Sequence, residues 1–508
     1  MRLELIGGAY QARSVLANAQ RCVNLYPEKN RADSPTKFTF YQRPGLRKLS
    51  SPPLQGLGRS ILRASNGNGY AVVGQSVYSI DGNWNWTLMG MLQSARANPV
   101  SLSDNGQVAV LGDGSSTGYT WKLVDNSGFG PIVDPTGFFT GTVKWDTISG
   151  FLIWVIPNTN QFGSTYDNEL VFDGTYYGTK AVYPDPLVTL VVNRSIIILF
   201  GQVKSEIWYN GGLPLFPFAV QPGAYIEWGC IAPYSVANIG ITVFWLGHGT
   251  QGTGLVLQQE GYTTSVISNH AISYAITEML AKGIDISDAV AYTYTQDGHI
   301  FYVLTFVEGN QTWVYDYTVR DPEYAWHQRA WTDQNGQLNR ERAFSAAFLF
   351  STNVTMDWQN GDLYALDLDY FADDVLGQAG PIPCIRTFSQ VKEGYHVPKG
   401  PVGFQRLPLE TDGHGVVTSE FVADFEGGNG PDNPNGLPPS VSLRWSTDRG
   451  KTWGNAVLQS AGREGEFSTQ PKWAPLGFAR YPLFELSWSF PGKATLNGAW
   501  FEPLVTDR

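Results

Sequence analysis

His299-Ile-Phe-Tyr-Val-Leu-Thr-Phe306, followed after five residues by Thr312-Trp-Val-Tyr-Asp316, is the stretch that decides the fold. Both segments are rich in β-branched and aromatic residues, and Gly309 and Asn310 between them are turn formers, which predicts two adjoining antiparallel strands. Similar units recur at intervals of roughly 40 to 60 residues between about residues 55 and 370. This period is typical of propeller blades, so the sequence predicts a mainly β chain with a β-propeller of six or seven blades.

The other strand units of the predicted propeller have the same composition of apolar runs bounded by Gly, Asn or Asp. They are Tyr70–Ile80, Gln107–Leu111, Phe151–Ile156, Leu187–Phe200, Ile241–Trp245 and Asp362–Asp367. One segment departs from them, because apolar residues from Ala271 to Leu280 recur at helical spacing. Asn269 before it and Gly283 after it are suitable helix boundaries. We therefore expect one short inserted helix.

Beyond residue 380 the strands become longer and proline more frequent. The predicted strands are Phe404–Leu409, Ser419–Phe425, Val441–Trp445, Ala456–Ser460, Phe467–Trp473, Leu483–Phe490 and Ala499–Leu504. This pattern is typical of a β-sandwich. The tract Glu426–Pro439 is a mobile loop by composition. The sequence thus predicts an irregular N-terminal arm (1–54), a propeller (55–380) and a β-sandwich platform domain (381–508).

Composition argues against several classes of function. The formal net charge is -11, which does not suit a protein that clamps nucleic acid by neutralising phosphates. Cys22, Cys230 and Cys384 are widely spaced and form no Cys-x-x-Cys pair, which favours folding in a reduced cytoplasm. No signal peptide or membrane-spanning segment is evident, so we expect no membrane insertion.

Motifs for catalysis or cofactor binding are missing from the sequence. The six histidines have no metal-ligand spacing, and neither a phosphate-binding Gly-x-x-x-x-Gly-Lys nor a Gly-x-Ser-x-Gly elbow occurs. The sequence predicts a protein that is not an enzyme and has no catalytic, cofactor-binding or metal residues.

One motif leaves an alternative open. Ser446-Thr-Asp448-Arg-Gly450-Lys-Thr452-Trp453 resembles the Asp-box of sialidases. Asp448 and Gly450 supply turn chemistry, and Trp453 can cover the hairpin, so the motif is interpreted as a structural staple. A single box also permits a sialidase-like glycosidase or a carbohydrate-binding adhesion protein.

Four separated groups of motifs carry a family resemblance. They are Arg21–Glu28 with Pro44–Leu46; Tyr294–Tyr302 with Thr312–Asp316 and Trp326–Arg329; Leu363–Asp367 with Pro383–Arg386; and Leu443–Asp448 with Thr452–Asn455, Phe467, Trp473 and Leu476–Arg480. In this order they resemble the packaged-DNA stabilisation proteins, which are the tail hubs or nozzles of short-tailed bacteriophages.

The resemblance implies a structural tail protein of the virion, folded in the host cytoplasm. It implies a homohexamer, a head-tail connector that extends the DNA channel below the portal and its adaptor ring. Such a hub retains packaged DNA until DNA ejection, touches genomic DNA transiently, and docks tail fibres, tailspikes or a needle-like plug.

Two expectations concern the N-terminal arm. Tyr26, Pro27, Glu28, Pro44 and Gly45 would be assembly contacts with a neighbouring subunit or the adaptor, and deletion of the arm would leave a folded propeller. The channel surface would be acidic or neutral, while the basic residues of the arm would pair with acidic surfaces of neighbouring subunits.

Overall fold

The computed structural model describes residues 2–3, 7–11, 13, 19–34, 36–214, 216–250, 252–375, 378–388, 396–397, 405–406, 416–428, 438–448, 450–479, 482–490 and 492–505. Strands dominate the described residues. Two α-helices occur among them, α1 (His270–Ala281) and α2 (Pro322–Ala325), with 3-10 turns at Pro233–Ser235 and Tyr317–Val319.

Seven four-stranded antiparallel blades follow one another in the described part of the chain. Blades 1 to 3 comprise Gly58–Arg63, Gly69–Val73, Ser76–Ile80 and Trp86–Met91; Ser101–Asp104, Val108–Gly112, Gly118–Lys122 and Gly130–Pro131; and Trp145–Ile148, Phe151–Val155, Gln161–Ser164 and Tyr177–Thr179. Blades 4 and 5 comprise Leu187–Asn193, Ile196–Gly201, Ser205–Asn210 and Phe218–Ile226; and Gly229–Cys230 with Ala237–Ile239, Thr242–Gly249, Gly252–Glu260 and Thr263–Val266.

Blade 6 comprises Val290–Gln296, His299–Phe306, Gln311–Asp316 and Trp326–Thr332, to which Leu338–Arg340 adds a short strand. Blade 7 comprises Ala343–Leu349, Thr352–Asp357, Leu363–Asp367 and Gly45–Ser50. The first strand of blade 7 contacts the first strand of blade 1, which closes the ring. The predicted β-propeller is therefore confirmed, with seven blades.

Blade 7 takes its outer strand from the N-terminal segment. Gly45–Ser50 pairs with Leu363–Asp367, and Ala372–Val375 covers its other edge before pairing with Gln378–Pro381. This differs from the predicted irregular arm. Phe38–Gln42 pairs with Leu25–Lys29 and with Leu496–Val505, and Gly45–Ser50 pairs with blade 7, so the backbone hydrogen bonds of both strands are satisfied in sheets that include distant parts of the chain.

Blade 6 is extended by strands from both ends of the chain. Beyond its outer strand lie, in order, Cys22–Val23, Cys384–Thr387, Leu483–Trp488, Ser440–Ser446 and Val457–Ser460. A second sheet is built from Lys472–Trp473, Val416–Phe425, Leu496–Val505, Phe38–Gln42 and Leu25–Lys29, with Arg2–Leu3 and Gly477–Ala479 at its sides. Tyr10–Gln11 pairs with Ala19–Gln20, and His396–Val397 pairs with Gln405–Arg406.

Both of these sheets contribute side chains to one hydrophobic cluster, which includes Phe40, Phe421, Leu443 and Leu486. The predicted C-terminal sandwich thus shares its strands and core with N-terminal residues. Its proposed limits at 381–508 remain predictions, and most of the predicted strand Phe404–Leu409 and of the loop Glu426–Pro439 lies outside the described residues.

The inserted helix is α1, and it lies between blades 5 and 6. The Asn269 side chain caps it by accepting the Ile272 N–H, and Gly283 follows it at a positive φ of 76°. Ile272 and Ile276 are buried in the core. The described residues include no helix that is long and apolar enough to cross a membrane.

Candidate functional site

A buried polar cluster connects the N-terminal segment to blade 6 and to the C-terminal strands. Asn24 has a positive φ of 58°, and its amide donates to the carbonyl oxygens of Ala330 (2.9 Å) and Pro383 (2.7 Å). Its side-chain oxygen accepts the Ala330 N–H and Arg43 Nε at 2.9 and 3.0 Å. Asn tolerates this backbone conformation and offers both donors and an acceptor, so it joins three segments at one point.

Arg43 continues this cluster toward blade 7. Its Nη1 and Nη2 lie 3.0 and 2.6 Å from the two carboxylate oxygens of Asp373, and Asp373 also accepts the Leu46 N–H at 3.1 Å. The two charged side chains are 0% and 5% exposed. We name Asn24, Arg43 and Asp373 the N-terminal junction. Removing one partner of such a buried pair leaves the other charge uncompensated.

The five predicted assembly residues lie close to this junction. Those that the structure buries inside the chain are Tyr26, Pro27, Pro44 and Gly45. The prediction that they contact another subunit does not fit their burial, because a buried side chain has no surface to offer a partner. Of the five, Glu28 is exposed.

Basic residues of the N-terminal segment pair with carboxylates of the same chain. The pairs are Arg21–Glu485 (3.3 Å), Arg43–Asp373 (2.6 Å), Arg47–Asp367 (2.7 Å) and Lys48–Asp362 (2.8 Å). The expectation that these charges are held for neighbouring subunits is therefore corrected for these four residues. They attach the segment to blade 7 and to the C-terminal strands.

Two histidines beside Tyr26 prefer opposite charge states. His299 Nδ1 lies 2.7 Å from the Asp316 carboxylate; burial opposes protonation, but Asp316 prevails and raises the pKa of His299. Burial and the nearby Arg329 charge lower the pKa of His327 well below its usual value. The Tyr26 ring lies 5.2 Å from the His299 ring and 6.4 Å from the His327 ring.

A hydrogen bond joins opposite sides of the propeller ring. Pro233–Ser235 interrupts the inner strand of blade 5, and the Tyr234 hydroxyl accepts Asn98 Nδ2 at 2.9 Å. Asn98 lies between blades 1 and 2, which stand opposite blade 5 in a ring of seven. The buried pair Arg59 and Asp113 belongs to the same cluster. The Tyr234–Asn98 bond therefore links blade 5 to the segment between blades 1 and 2 on the other side of the ring.

Buried arginines bear on the glycosidase alternative. Arg342 pairs with Asp357 at 2.7 Å, and Arg329 lies 3.6 Å from Glu341, with all four side chains 0% exposed. Arg386 donates to the Gly7 and Gly8 carbonyl oxygens at 3.0 and 2.9 Å. A site that recognises a sugar carboxylate needs accessible guanidinium groups. These arginines are instead engaged within the chain.

The Asp-box forms a compact hydrogen-bonded turn between Ser440–Ser446 and Val457–Ser460. Asp448 Oδ1 accepts the Thr452 N–H and the Ser446 hydroxyl, both at 2.8 Å, and Oδ2 accepts the Thr452 hydroxyl at 2.7 Å. Gly450 has φ +82° and donates to Ser446 Oγ at 2.8 Å. Arg444 stacks on Trp453, with the guanidinium carbon 4.9 Å from the ring centre.

These bonds determine the charge of the carboxylate. The hydrogen bonds from Thr452 and Ser446 lower the pKa of Asp448 to about 2. A carboxylate with so low a pKa holds no proton near neutral pH, so it is unsuited to general acid catalysis. The geometry supports the staple interpretation of Ser446, Asp448, Gly450, Thr452 and Trp453.

Sequence reasoning missed Asn24, Asp373, Tyr234 and Asn98, and it gave Arg43 a partner on a neighbouring subunit. Asn24 lies inside the quoted Arg21–Glu28 motif, and that was the available signal. Nothing local marks the structural roles of the other four, because their partners are distant in sequence. Among the described residues, no group of three or more His, Cys, Asp or Glu side chains is arranged to hold a metal ion.

The closed ring of blades and the internally paired charges define a class of protein, a β-propeller whose polar clusters are structural. The family described as Bacteriophage P22 Gp10, beta-propeller, matches residues 1–371. The chain therefore belongs to this family, in which bacteriophage virion proteins stabilise packaged DNA. The recognition from sequence motifs is confirmed. Both the family and the fold are structural in kind.

Solved structures similar to the chain have low sequence identity to it. They include the WD40 β-propeller domain of Doa1 (12% identity, TM-score 0.38, covering 63% of this chain and 97% of that one). The mitotic checkpoint complex gives 10% identity, TM-score 0.39 and coverage of 63% and 93%. No curated protein matches the chain.

Proposed function

We propose that this chain is a tail hub, or nozzle, of a short-tailed bacteriophage. Copies of the chain form a ring, expected to be a hexamer, below the portal and its adaptor. The ring extends the DNA channel, retains the packaged genome until ejection, and carries docking surfaces for fibres, tailspikes or a plug. Family membership over residues 1–371 is the observation that carries this proposal.

The hydrogen bond across the propeller ring supports a channel between subunits. Because the Tyr234–Asn98 bond joins opposite sides of the ring, we expect no route for a duplex through one propeller. A ring of several copies provides the route instead. In that arrangement each propeller is a solid part of the channel wall, and the N-terminal junction keeps the wall continuous with the C-terminal sheets.

The charge of the chain supports transit without adhesion. Each copy has a formal charge of -11, and Arg21, Arg43, Arg47 and Lys48 of the N-terminal segment are already paired within the chain. At physiological ionic strength the field of an exposed charge decays over about 8 Å. A weakly negative wall therefore repels phosphates at short range and lets a driven duplex pass.

Particles assembled without this chain test the proposal. We expect heads that package DNA and then lose it, measured as nuclease-resistant genome copies per particle before and after purification. Supplying the chain in trans to purified filled heads should retain the genome. Equal genome retention without the chain, or absence of the chain from wild-type particles, would contradict the proposal.

A glycosidase assay tests the alternative that the chain is a sialidase-like glycosidase. Wild-type protein and the Asp448→Ala variant are incubated with sialosides and with host polysaccharide. The hub proposal expects no release of sugar by either protein. Hydrolysis by the wild type that disappears in a folded Asp448→Ala variant would favour the glycosidase instead.

A further inference from the structure

The outer edges of the blades differ in how they are protected against pairing with another strand. Exposed edges are templates for strand addition, and proteins block them with covering strands, proline, short length or polar side chains. Blades 6 and 7 are covered by Cys22–Val23 and Ala372–Val375. The outer strands of blades 2 and 3 have two and three residues. Blade 4 has Pro222 and Gly223 at its break, and blade 5 has Thr263-Thr-Ser-Val266.

Blade 1 has none of these protections, and its outer pairing is interrupted only by one shift in strand register. Its outer strand Trp86–Met91 has six residues, no charge and no proline. Leu88 and Met91 are each 56% exposed. The pairing with Ser76–Ile80 shifts register once, between Val77 and Tyr78. Within the described residues this strand is the longest uncharged blade edge that contains no proline and is left uncovered.

A second uncharged edge lies at the end of the sheet that extends blade 6. Val457–Ser460 is the last strand of that sheet, and Val457 and Leu458 are 40% and 66% exposed. The Asp-box turn precedes this strand, and the Trp473 indole donates to the Val457 carbonyl oxygen at 2.7 Å. These contacts hold the strand in place and leave the Leu458 side chain in solvent.

We propose that Trp86–Met91 of one copy pairs with Val457–Ser460 of a second copy. The inference rests on the proposed homo-oligomer and names its contact. Both edges are uncharged and expose apolar side chains, Leu88 and Met91 on one and Val457 and Leu458 on the other. Each therefore suits the other, and the fold already extends blades 6 and 7 by strand addition. Each copy has one of each edge. A head-to-tail contact therefore buries both edges on every copy only when the ring closes.

This pairing also gives the Asp-box a role. Its hydrogen bonds fix the loop that presents Leu458, and a preordered strand loses less conformational freedom on association. Each edge is short compared with a stable interface. The strand pairing thus sets the register of a larger contact between neighbouring copies.

Cysteine cross-linking of the full chain tests the pairing. The native Cys22, Cys230 and Cys384 are at most 1% exposed, so introduced surface thiols react selectively with a short bis-maleimide. A chain that carries both Leu88→Cys and Leu458→Cys should give a ladder of linked copies that ends at the ring size. An equal mixture of the two single variants should give linked dimers only. Each single variant alone should give none.

A matched control replaces the blade 1 position with another exposed apolar residue. Val124 is 89% exposed in a loop of blade 2, so Val124→Cys with Leu458→Cys should not cross-link. Leu88→Lys and Leu458→Glu provide a second test by native mass. Each alone should dissociate the oligomer, and mixing the two should restore contact between unlike copies. Thermal unfolding of each variant verifies that it is folded.

Three outcomes with the purified chain overturn the pairing. They are a full chain that stays monomeric at the cross-linking concentration, linkage of the control pair as efficient as that of the test pair, and dimers from Leu88→Cys alone, which would indicate a two-fold contact. Incorporation into particles is scored separately by immunoblot. Particles that contain the chain without this cross-link would leave the hub function intact and reject the pairing, whereas particles without the chain would reject the hub function itself.

Discussion

The N-terminal junction and the Asp-box hairpin are both built around one carboxylate, but their environments are opposite. Asp373 is 5% exposed and binds a fully buried guanidinium, whereas Asp448 lies at the surface and binds hydroxyl and backbone donors of its own turn. The junction joins segments about 330 residues apart. The Asp-box joins residues four apart. The motif that is easier to recognise in the sequence is therefore the one whose loss we expect to cost less, because removing one partner of a buried ion pair is more destabilising than removing one group from an exposed turn.

Deletion of residues 1–50 should have the largest effect. It removes the outer strand of blade 7, the strand Cys22–Val23 that joins blade 6 to the C-terminal strands, and the Leu25–Lys29 and Phe38–Gln42 strands of the second sheet. We expect loss of the cooperative unfolding transition, measured by circular dichroism and calorimetry. This expectation replaces the earlier one of a folded propeller that fails only to assemble.

Two glycine-to-alanine substitutions test the same N-terminal strand by adding one Cβ atom each. A Cβ on Gly45 would lie 2.0 Å from the Tyr370 carbonyl oxygen, whereas one on Gly380 meets nothing within 4 Å. Gly45→Ala should lower the melting temperature strongly, and Gly380→Ala should leave it unchanged. Equal melting temperatures for both variants, or a truncated chain with a normal transition, would show that the N-terminal strand is dispensable.

Substitution of Arg43 should have the next largest effect. Arg43→Met leaves Asp373 buried without its partner, so we expect a loss of about 3–5 kcal/mol in the free energy of unfolding, measured by urea titration. The double variant Arg43→Met with Asp373→Leu removes both charges and should recover much of that loss. A double variant as unstable as the single one would mean that volume, and not charge, determines the stability of the junction.

The propeller could be predicted because its signals are local. The β-branched and aromatic run in segments such as His299–Phe306 and the capping of α1 by Asn269 depend on neighbouring residues, and the structure has both where they were expected. The membership of Gly45–Ser50 in blade 7 depends on Leu363–Asp367, more than 300 residues away. The sequence pattern predicts Asp362–Asp367 as a strand, but nothing in either segment identifies the other as its partner.

The candidate site shows the same limit. The Asp-box was found because all of its hydrogen bonds close within eight residues. The sequence motifs included Tyr26 and Gly45 but led us to predict contacts with another subunit or the adaptor, because the sequence does not reveal the partners of these residues within the chain. Tyr234 carries no motif at all; only the ring of blades places it opposite Asn98.

The histidine pair should show a moderate, pH-dependent effect. His299 has a raised pKa, so the stability that it contributes is fully present below its ordinary value of 6.5 and is lost as pH rises through the folded pKa. His327 has a lowered pKa, so the folded state loses stability as pH falls below 6.5. His299→Gln should remove the loss of stability that occurs as pH rises, and His327→Phe should remove the loss that occurs as pH falls below 6.5.

Urea unfolding across the range in which histidine titrates measures both effects. The wild type should have its highest stability between the two losses. If His327→Phe proves unfolded, His299→Gln still tests the alkaline side alone. Two variants with the same pH profile as the wild type would show that neither histidine is linked to folding.

Asp448→Ala should have the smallest effect on stability. The carboxylate is exposed, and its bonds to Thr452 and Ser446 are confined to one turn, so we expect a lower melting temperature but a smaller change than for Arg43→Met. The pKa of Asp448 is lowered to about 2 from 3.8. Its contribution to stability is therefore present above pH 3.8 and is lost as pH falls toward 2, so the stabilities of the wild type and the variant should converge in acid.

Asp333→Ala is the matched control, because Asp333 accepts the Asn335 and Gln337 N–H groups in another exposed turn. Similar losses of stability for Asp448→Ala and Asp333→Ala would sharpen the contrast between exposed turns and the buried junction. A loss of stability for Asp448→Ala as large as that for Arg43→Met would contradict this contrast.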